Sequence, residues 1–281
     1  MKITNRGMRI SIAVLCMFVA PMAFAQYQSD FDSLAGSAGG TVLTGQDGYF
    51  LPNGPPNDAD FNVYTYAGNT LGLPQNPNGG TQFIAGIGPA GGTFARAQRL
   101  SGFGALGVWT AAFDIAITFT GQLPTAQNIG SFSLNEGVPG VFSIINLARW
   151  VDPATASGWN ADMVWFDGGG TQILEQVPDV NFQNLAVNHW YRWATDFSLN
   201  TNQVLEMRLT DLTTGTVVTH NPADRWLRPG ANPDHHRFFG GGGVPGNALA
   251  FDNASIVPEP VSMIALGIGL AALAARRRRK K

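Results

Sequence analysis

An all-β fold, two antiparallel sheets packed face to face as a jelly-roll sandwich, is what this 281-residue sequence predicts. Three observations point to it. Apolar and polar residues alternate with the period of two that a strand with one buried face requires. Gly, Pro and Asn interrupt the chain every few residues, with 35 Gly and 17 Pro in all, and no amphipathic helical pattern exceeds two turns. Seven Trp and 18 Phe supply the apolar bulk for a core between sheets.

The clearest strand covers residues 109–120. Trp109, Ala111, Phe113, Ile115, Ile117 and Phe119 form the face expected inside; Thr110, Ala112, Asp114, Ala116, Thr118 and Thr120 form the wetter one. Residues 187–219 read as a three-stranded meander. An aromatic-rich strand from His189 to Phe197 ends at the turn Asn200-Thr201-Asn202. Leu205, Met207 and Leu209 then alternate with Glu206, Arg208 and Thr210, and Thr213-Thr214-Gly215 turns the chain into Thr216-Val217-Val218. Further short strands are expected at 60–66, 81–86, 129–135, 141–150, 161–167, 171–177 and 248–256. Stretches 52–58, 72–80 and 240–246 read as long surface loops, and Asp234-His235-His236 as a loop beside Arg237. No fixed-period repeat occurs, which disfavours a solenoid or propeller. No linker splits the sandwich, which is assigned residues 26–256.

The two ends carry targeting chemistry. Residues 1–9 are basic and residues 10–24 apolar, and Ala23-Phe24-Ala25 is the small-x-small pattern of a signal-peptidase site, with Gln26 as the first mature residue. Residues 1–25 are thus expected to be a cleaved signal helix. Cys16, the one cysteine, lies inside it, so the mature chain has no disulfide and no thiolate chemistry. At the other end Val257-Pro258-Glu259-Pro260 precedes an apolar stretch, 261–275, and a basic tail, 276–281, that includes Arg276, Arg277, Arg278 and Arg279. Fifteen residues of helix span roughly 22 Å, short of a hydrocarbon core of ~30 Å, so this transmembrane helix suits a transient anchor. The cations should stay cytoplasmic and the prolines should leave an extended, accessible stretch outside.

This terminal segment resembles the PEP-CTERM sorting signal, also known as the ice-binding protein C-terminal motif. The resemblance implies recognition of Pro258, Glu259 and Pro260 by an exosortase, a membrane protease or transpeptidase of Gram-negative bacteria that make exopolysaccharide. It implies no ice binding, for which ranks of Thr-x-Thr would be needed; Thr118-Phe119-Thr120 belongs to no such rank. Phe31-Asp32-Ser33-Leu34 with Gly45-Gln46-Asp47-Gly48 resembles the opening of concanavalin A-like (LamG-type) sandwiches. His189-Trp190-Tyr191-Arg192 leading into Asp211-Leu212-Thr213-Thr214-Gly215 is similar to their central hairpins, and Phe251-Asp252-Asn253-Ala254-Ser255-Ile256 to their closing strand, expected near the N-terminus.

Between residues 26 and 257 eight Arg and no Lys face 15 Asp and 3 Glu, a net charge of −10 that argues against nucleic-acid partners. Glycan hydrolysis needs two flanking carboxyls. Glu136, Glu175 and Glu206 stand in no Glu-x-Asp-x-Glu strand, and no Gly-x-Ser-x-Gly or His-Glu-x-x-His occurs. His189 and His220 read as structural. Structural calcium is a possible cofactor, with Asp30, Asp32, Asp47, Asp58, Asp60, Asp167 and Asp252 as oxygen donors and Asp32 with Asp252 favoured because the terminal strands should be neighbours. Trp159, Trp165, Asp167 and Trp226 are the sugar-contact candidates, while Trp109, Trp190 and Trp193 read as core. The expectation is an exported, non-catalytic cell-surface or matrix protein, handled by signal peptidase and an exosortase, held briefly in the inner membrane and associated with exopolysaccharide. The rival readings are a carbohydrate-active enzyme with an unrecognised site and a purely structural envelope protein.

Overall fold

A computed structural model describes residues 27–87, 94–103, 106–118, 128–137, 141–151, 158–240 and 248–259. In chain order its strands begin with β1 (Tyr27–Ser29), β2 (Thr41–Val42), β3 (Asp58–Asp60), β4 (Asn62–Thr65), β5 (Gln82–Ile87) and β6 (Phe94–Leu100). They continue with β7 (Val108–Thr118), β8 (Asn128–Asn135), β9 (Phe142–Trp150), β10 (Trp159–Phe166) and β11 (Gln172–Gln176). The last are β12 (Tyr191–Ser198), β13 (Gln203–Asp211), β14 (Val217–His220), β15 (His235–Gly240) and β16 (Ala248–Pro258). The one helical element among the described residues is a 3-10 turn at Val180–Phe182. No helix among them is long and apolar enough to cross a membrane; both expected terminal helices, with Ala23, Ala25, Gln26, Pro260 and Arg276 to Arg279, lie outside the described residues.

The strands make two sheets. The larger runs β14-β13-β12-β7-β16-β5-β4-β2; the smaller runs β11-β10-β9-β8-β15-β6-β3. Pairing is antiparallel except between β3 and β6. The expected meander is present as β12, β13 and β14, consecutive and antiparallel. The terminal strands are neighbours, as the resemblance implied: β1 pairs with the second half of β16, Tyr27 opposite Ile256, while the first half of β16 pairs with β5.

Alternation explains the core. On β7 the odd residues Trp109, Ala111, Phe113, Ile115 and Ile117 all enter the main apolar cluster between the sheets. There Phe113 meets Phe132 of β8 and Phe251 meets Phe238 of β15, each pair with centroids 4.6 Å apart. Trp109, Trp190 and Trp193 are fully buried, as expected. Polar links also cross this core, among them one in which Asn146 Nδ2 of β9 donates to Thr195 Oγ1 of β12 at 2.8 Å.

Three expectations are corrected. His235 and His236, expected with Asp234 in a loop beside Arg237, open an inner strand of the smaller sheet, His235–Gly240, between β8 and β6; His236 and Phe238 point into the core and Arg237 out. The stretch 72–80 is not a free surface loop: Leu73 and Asn76 are buried, and Leu73 joins Tyr66 in a second apolar cluster over the outer face of β7, β5 and β16. The outward face of β7 is therefore dry where the loop covers it, and Asp114 is fully buried. Finally, Asp58 closes the expected loop 52–58 but is the first residue of β3 and is buried against Arg96.

Candidate functional site

Asp252 of β16 lies opposite Asp114 of β7, and the β16 bulge at Asn253, whose φ of 46° suits an Asn, turns both residues of the Asp252-Asn253 step toward it. Asp252 Oδ2 accepts from Tyr66 OH at 2.8 Å and Asn76 Nδ2 at 3.1 Å. Asp114 accepts from Asn76 Nδ2 at 2.8 Å, Asn253 Nδ2 at 2.7 Å and Arg192 at 2.9 Å. Burial, with Asp114 adding repulsion, pushes the Asp252 carboxyl up to about 7. A cavity of about 520 Å³ opens beside the cluster, lined by Arg192, Asn78 and Asn253 together with Asp30, Asp47 and Arg99.

Asp32 is turned elsewhere. Its Oδ1 accepts from the Thr81 and Gln82 amides at 2.7 and 2.9 Å. Both favoured calcium residues thus accept from hydrogen-bond donors, and no group of three His, Cys, Asp or Glu side chains among the described residues is disposed to hold a metal. The other calcium candidates are likewise engaged by donors. Asp30 takes the Asp32 amide, Asp47 pairs with Arg99, Asp58 with Arg96, and Asp60 with Thr44. Asp167 caps its own turn, accepting from the Gly169 and Thr171 amides, and these bonds hold its carboxyl below the usual range.

The sugar-contact candidates separate by burial. Trp159 and Trp165 point into the sandwich at 0% and 1% exposure, so neither ring has a face for a sugar. Trp165 Nε1 donates to Glu175, which Arg225 also grips through Nε and Nη2 at 2.7 and 3.0 Å, holding that carboxyl below its usual range. Trp226 keeps partial exposure. Its backbone bridges Phe166 of β10 and Gln203 of β13, tying the two sheets at one end, and its ring lies over Gly168.

The face that alternation alone could not single out is the outer face of the smaller sheet. Its central strand, β8, presents Ser131, Ser133 and Asn135, all small or short and all buried. Larger residues flank this trough: Arg237 opposite Ser133 and Phe239 opposite Ser131 on β15, Ile145 and Leu147 on β9. Arg96 lies over the Phe94 and Phe239 rings at 5.5 and 5.0 Å, and Arg228 over Phe142 and Phe166 at 5.1 and 5.5 Å. Several buried polar atoms here have no partner: Gln98 Nε2, Ser143 Oγ, Asp162 Oδ1 and Arg228 Nε. Such atoms are costly unless something binds them. Burial also pushes the Asp162 carboxyl up to about 6 despite Arg149 at 3.3 Å. The sequence signal for this face is the Ser131-x-Ser133-x-Asn135 alternation, together with the strand that begins at His235, inside the expected loop Asp234-His235-His236.

Fold and site thus define a β-sandwich of jelly-roll type with a polar and aromatic outer face. Among solved structures it is similar to the CBM2 module of the Lactobacillus casei BL23 phage J-1 evolved Dit (13% identity, 82% of this chain and 93% of that one, TM-score 0.47). It is also similar to the cellulose induced protein Cip1 (11%, 82% and 96%, TM-score 0.43) and to alginate lyase vAL-1 from Chlorella virus (11%, 63% and 85%, TM-score 0.39). No curated protein matches the chain in sequence. Residues 257–279 match the PEP-CTERM protein-sorting motif, which implies export, sorting to the cell surface and processing by an exosortase. That motif begins inside the sandwich. Val257 and Pro258 belong to β16, opposite Thr110 and Trp109, the Glu259 amide donates to the Val108 carbonyl at 2.9 Å, and the Glu259 carboxylate accepts from Thr110 Oγ1. The stretch expected to be extended and accessible is extended, but through Glu259 it is docked.

Proposed function

We propose that this is a non-catalytic protein of the cell surface or extracellular matrix of a Gram-negative bacterium, which binds exopolysaccharide through the outer face of its smaller sheet after transient anchoring in the inner membrane. One observation carries the reading: in a chain sorted to the surface, a row of short polar side chains on β8 is flanked, on the neighbouring strands, by buried hydrogen-bonding atoms without partners and by partly exposed Phe and Arg. Sugars need this combination, since hydroxyls take the polar atoms and C–H faces take the rings. Against catalysis, the three glutamates of the sandwich are tied: Glu175 by Arg225, Glu206 by Arg208, Glu136 by the Asn232 amide.

The test is to present the full-length chain, in detergent, to a panel of bacterial and plant polysaccharides while scoring retention and the release of new reducing ends. Retention without release is expected, and Ser133→Trp, which fills the trough, should abolish it. Release would establish an enzyme; neither signal would leave a structural envelope protein.

A further inference from the structure

In a domain where 18 acids outnumber eight arginines, an arginine without a carboxylate partner is an exception. Six of the eight are paired: Arg96 with Asp58, Arg99 with Asp47, Arg149 with Asp162, Arg192 with Asp114, Arg208 with Asp196 and Glu206, and Arg225 with Glu175. The remaining two, Arg228 and Arg237, bond no carboxylate among the described residues, and both lie on the outer face of the smaller sheet. We infer that this face selects a carboxylate-bearing polysaccharide, with Arg237 and Arg228 as the side chains that take its anionic groups. The inference rests on the polysaccharide reading of the same face and adds the charge of the ligand.

The hydrogen-bond inventory points the same way. Arg237 gives Nε and Nη2 to Gln98 Oε1, which leaves Nη1 free and aligns Gln98, itself 0% exposed, with its own Nε2 unpartnered. Arg228 Nε is a third orphan donor. The face around the trough therefore has a surplus of donors, and an acidic sugar is a ligand with a surplus of acceptors. Planar guanidinium groups match planar carboxylates in two-point bonds. Burial and the nearby Arg96 charge pull the Arg237 guanidinium down to about 10, against the smaller opposing pull of Asp58, which Arg96 already holds; it stays charged at neutral pH with no carboxylate bonded to it among the described residues. Asp162 Oδ1 and Ser143 Oγ, also unpartnered, are left for ring hydroxyls.

The domain's net charge of −10 opposes a polyanion at long range. At physiological ionic strength the screening length is about 8 Å, so this repulsion fades over distances where contacts to half-buried guanidiniums persist. Contact geometry, rather than steering, is what selects the ligand.

The experiment is calorimetric titration of the full-length chain, in detergent, with an oligogalacturonate and with the same oligomer after its carboxyls are reduced to alcohols. The acid should bind at least ten-fold more tightly. Arg237→Gln should erase that preference without changing affinity for the reduced oligomer, and Arg208→Gln, on the other sheet, should change neither. If Arg237→Gln fails to fold, Arg228→Gln carries the same test, and the comparison of oligomers needs no variant. Equal affinity for the two oligomers overturns the inference and leaves polysaccharide binding standing. Binding of neither overturns both.

Discussion

At the scale of single residues, three buried titratable groups set how stability should depend on pH. Burial raises the carboxyls of Asp162 to about 6 and Asp252 to about 7, so the folded chain holds protons that the unfolded chain, with carboxyls near 4, has released. Their contribution is therefore favourable in acid and is lost as pH climbs from about 4 to about 7. His236 acts in the opposite direction. It is sealed between Tyr49 OH at 3.0 Å and Ser101 Oγ at 2.7 Å, and burial holds its pKa well below the usual histidine value. The unfolded chain takes up a proton that the folded one refuses, so stability falls as pH drops below about 6.5. Urea midpoints at pH 4.5, 6 and 7.5 separate the terms. Asp162→Asn should remove the part of the slope between about 4 and 6. His236→Phe should remove the loss below about 6.5 while costing roughly 2 kcal/mol at neutral pH, because Tyr49 and Ser101 lose their partner.

Strands and loops were legible in the sequence to different degrees, for physical reasons. β7, β12 and β13 could be read because each buries one face and alternates cleanly. β15 could not, since His235-His236-Arg237 looks polar until the ring of His236 is placed between Tyr27, at 4.4 Å, and Phe132, at 5.9 Å. Loop 72–80 looked like solvent-exposed punctuation because Gly and Pro give no sign that Leu73 and Asn76 are buried or that Trp190 Nε1 will donate to the Pro74 carbonyl at 2.9 Å. The tryptophans misled in the other direction, for Trp159 and Trp165 sit beside turns yet point inward, whereas the serines of β8 carry no label at all. Two glycines report how tightly elements approach. A methyl group at Gly86 of β5 would come within 2.7 Å of the Phe61 ring, and one at Gly79 within 2.3 Å of the Asp252 carboxylate. Gly86→Ala should cost about 1–3 kcal/mol by urea unfolding. Gly79→Ala should instead lift loop 72–80, seen as faster proteolysis there with a smaller fall in melting temperature.

At the scale of the whole molecule, a sandwich without cysteine holds itself together by packing and by joining its own ends, β1 against β16. Its melting temperature should be unchanged by dithiothreitol, and deleting residues 27–29 should lower it, since Tyr27 leaves the core and its bond to Tyr49 OH is lost. The join has a second effect. Because the glutamate of the sorting signal, one residue past β16, is hydrogen-bonded to Val108 and Thr110 of β7, the address label and a rivet of the fold are one piece of chain. A protease that reads it must first free that rivet, and Thr110→Ala, which loosens it, should speed cleavage several-fold in cells co-expressing an exosortase. A misassembled cargo would wear its label loose and be cut early; a finished one would surrender it slowly, so that folding delays the cut.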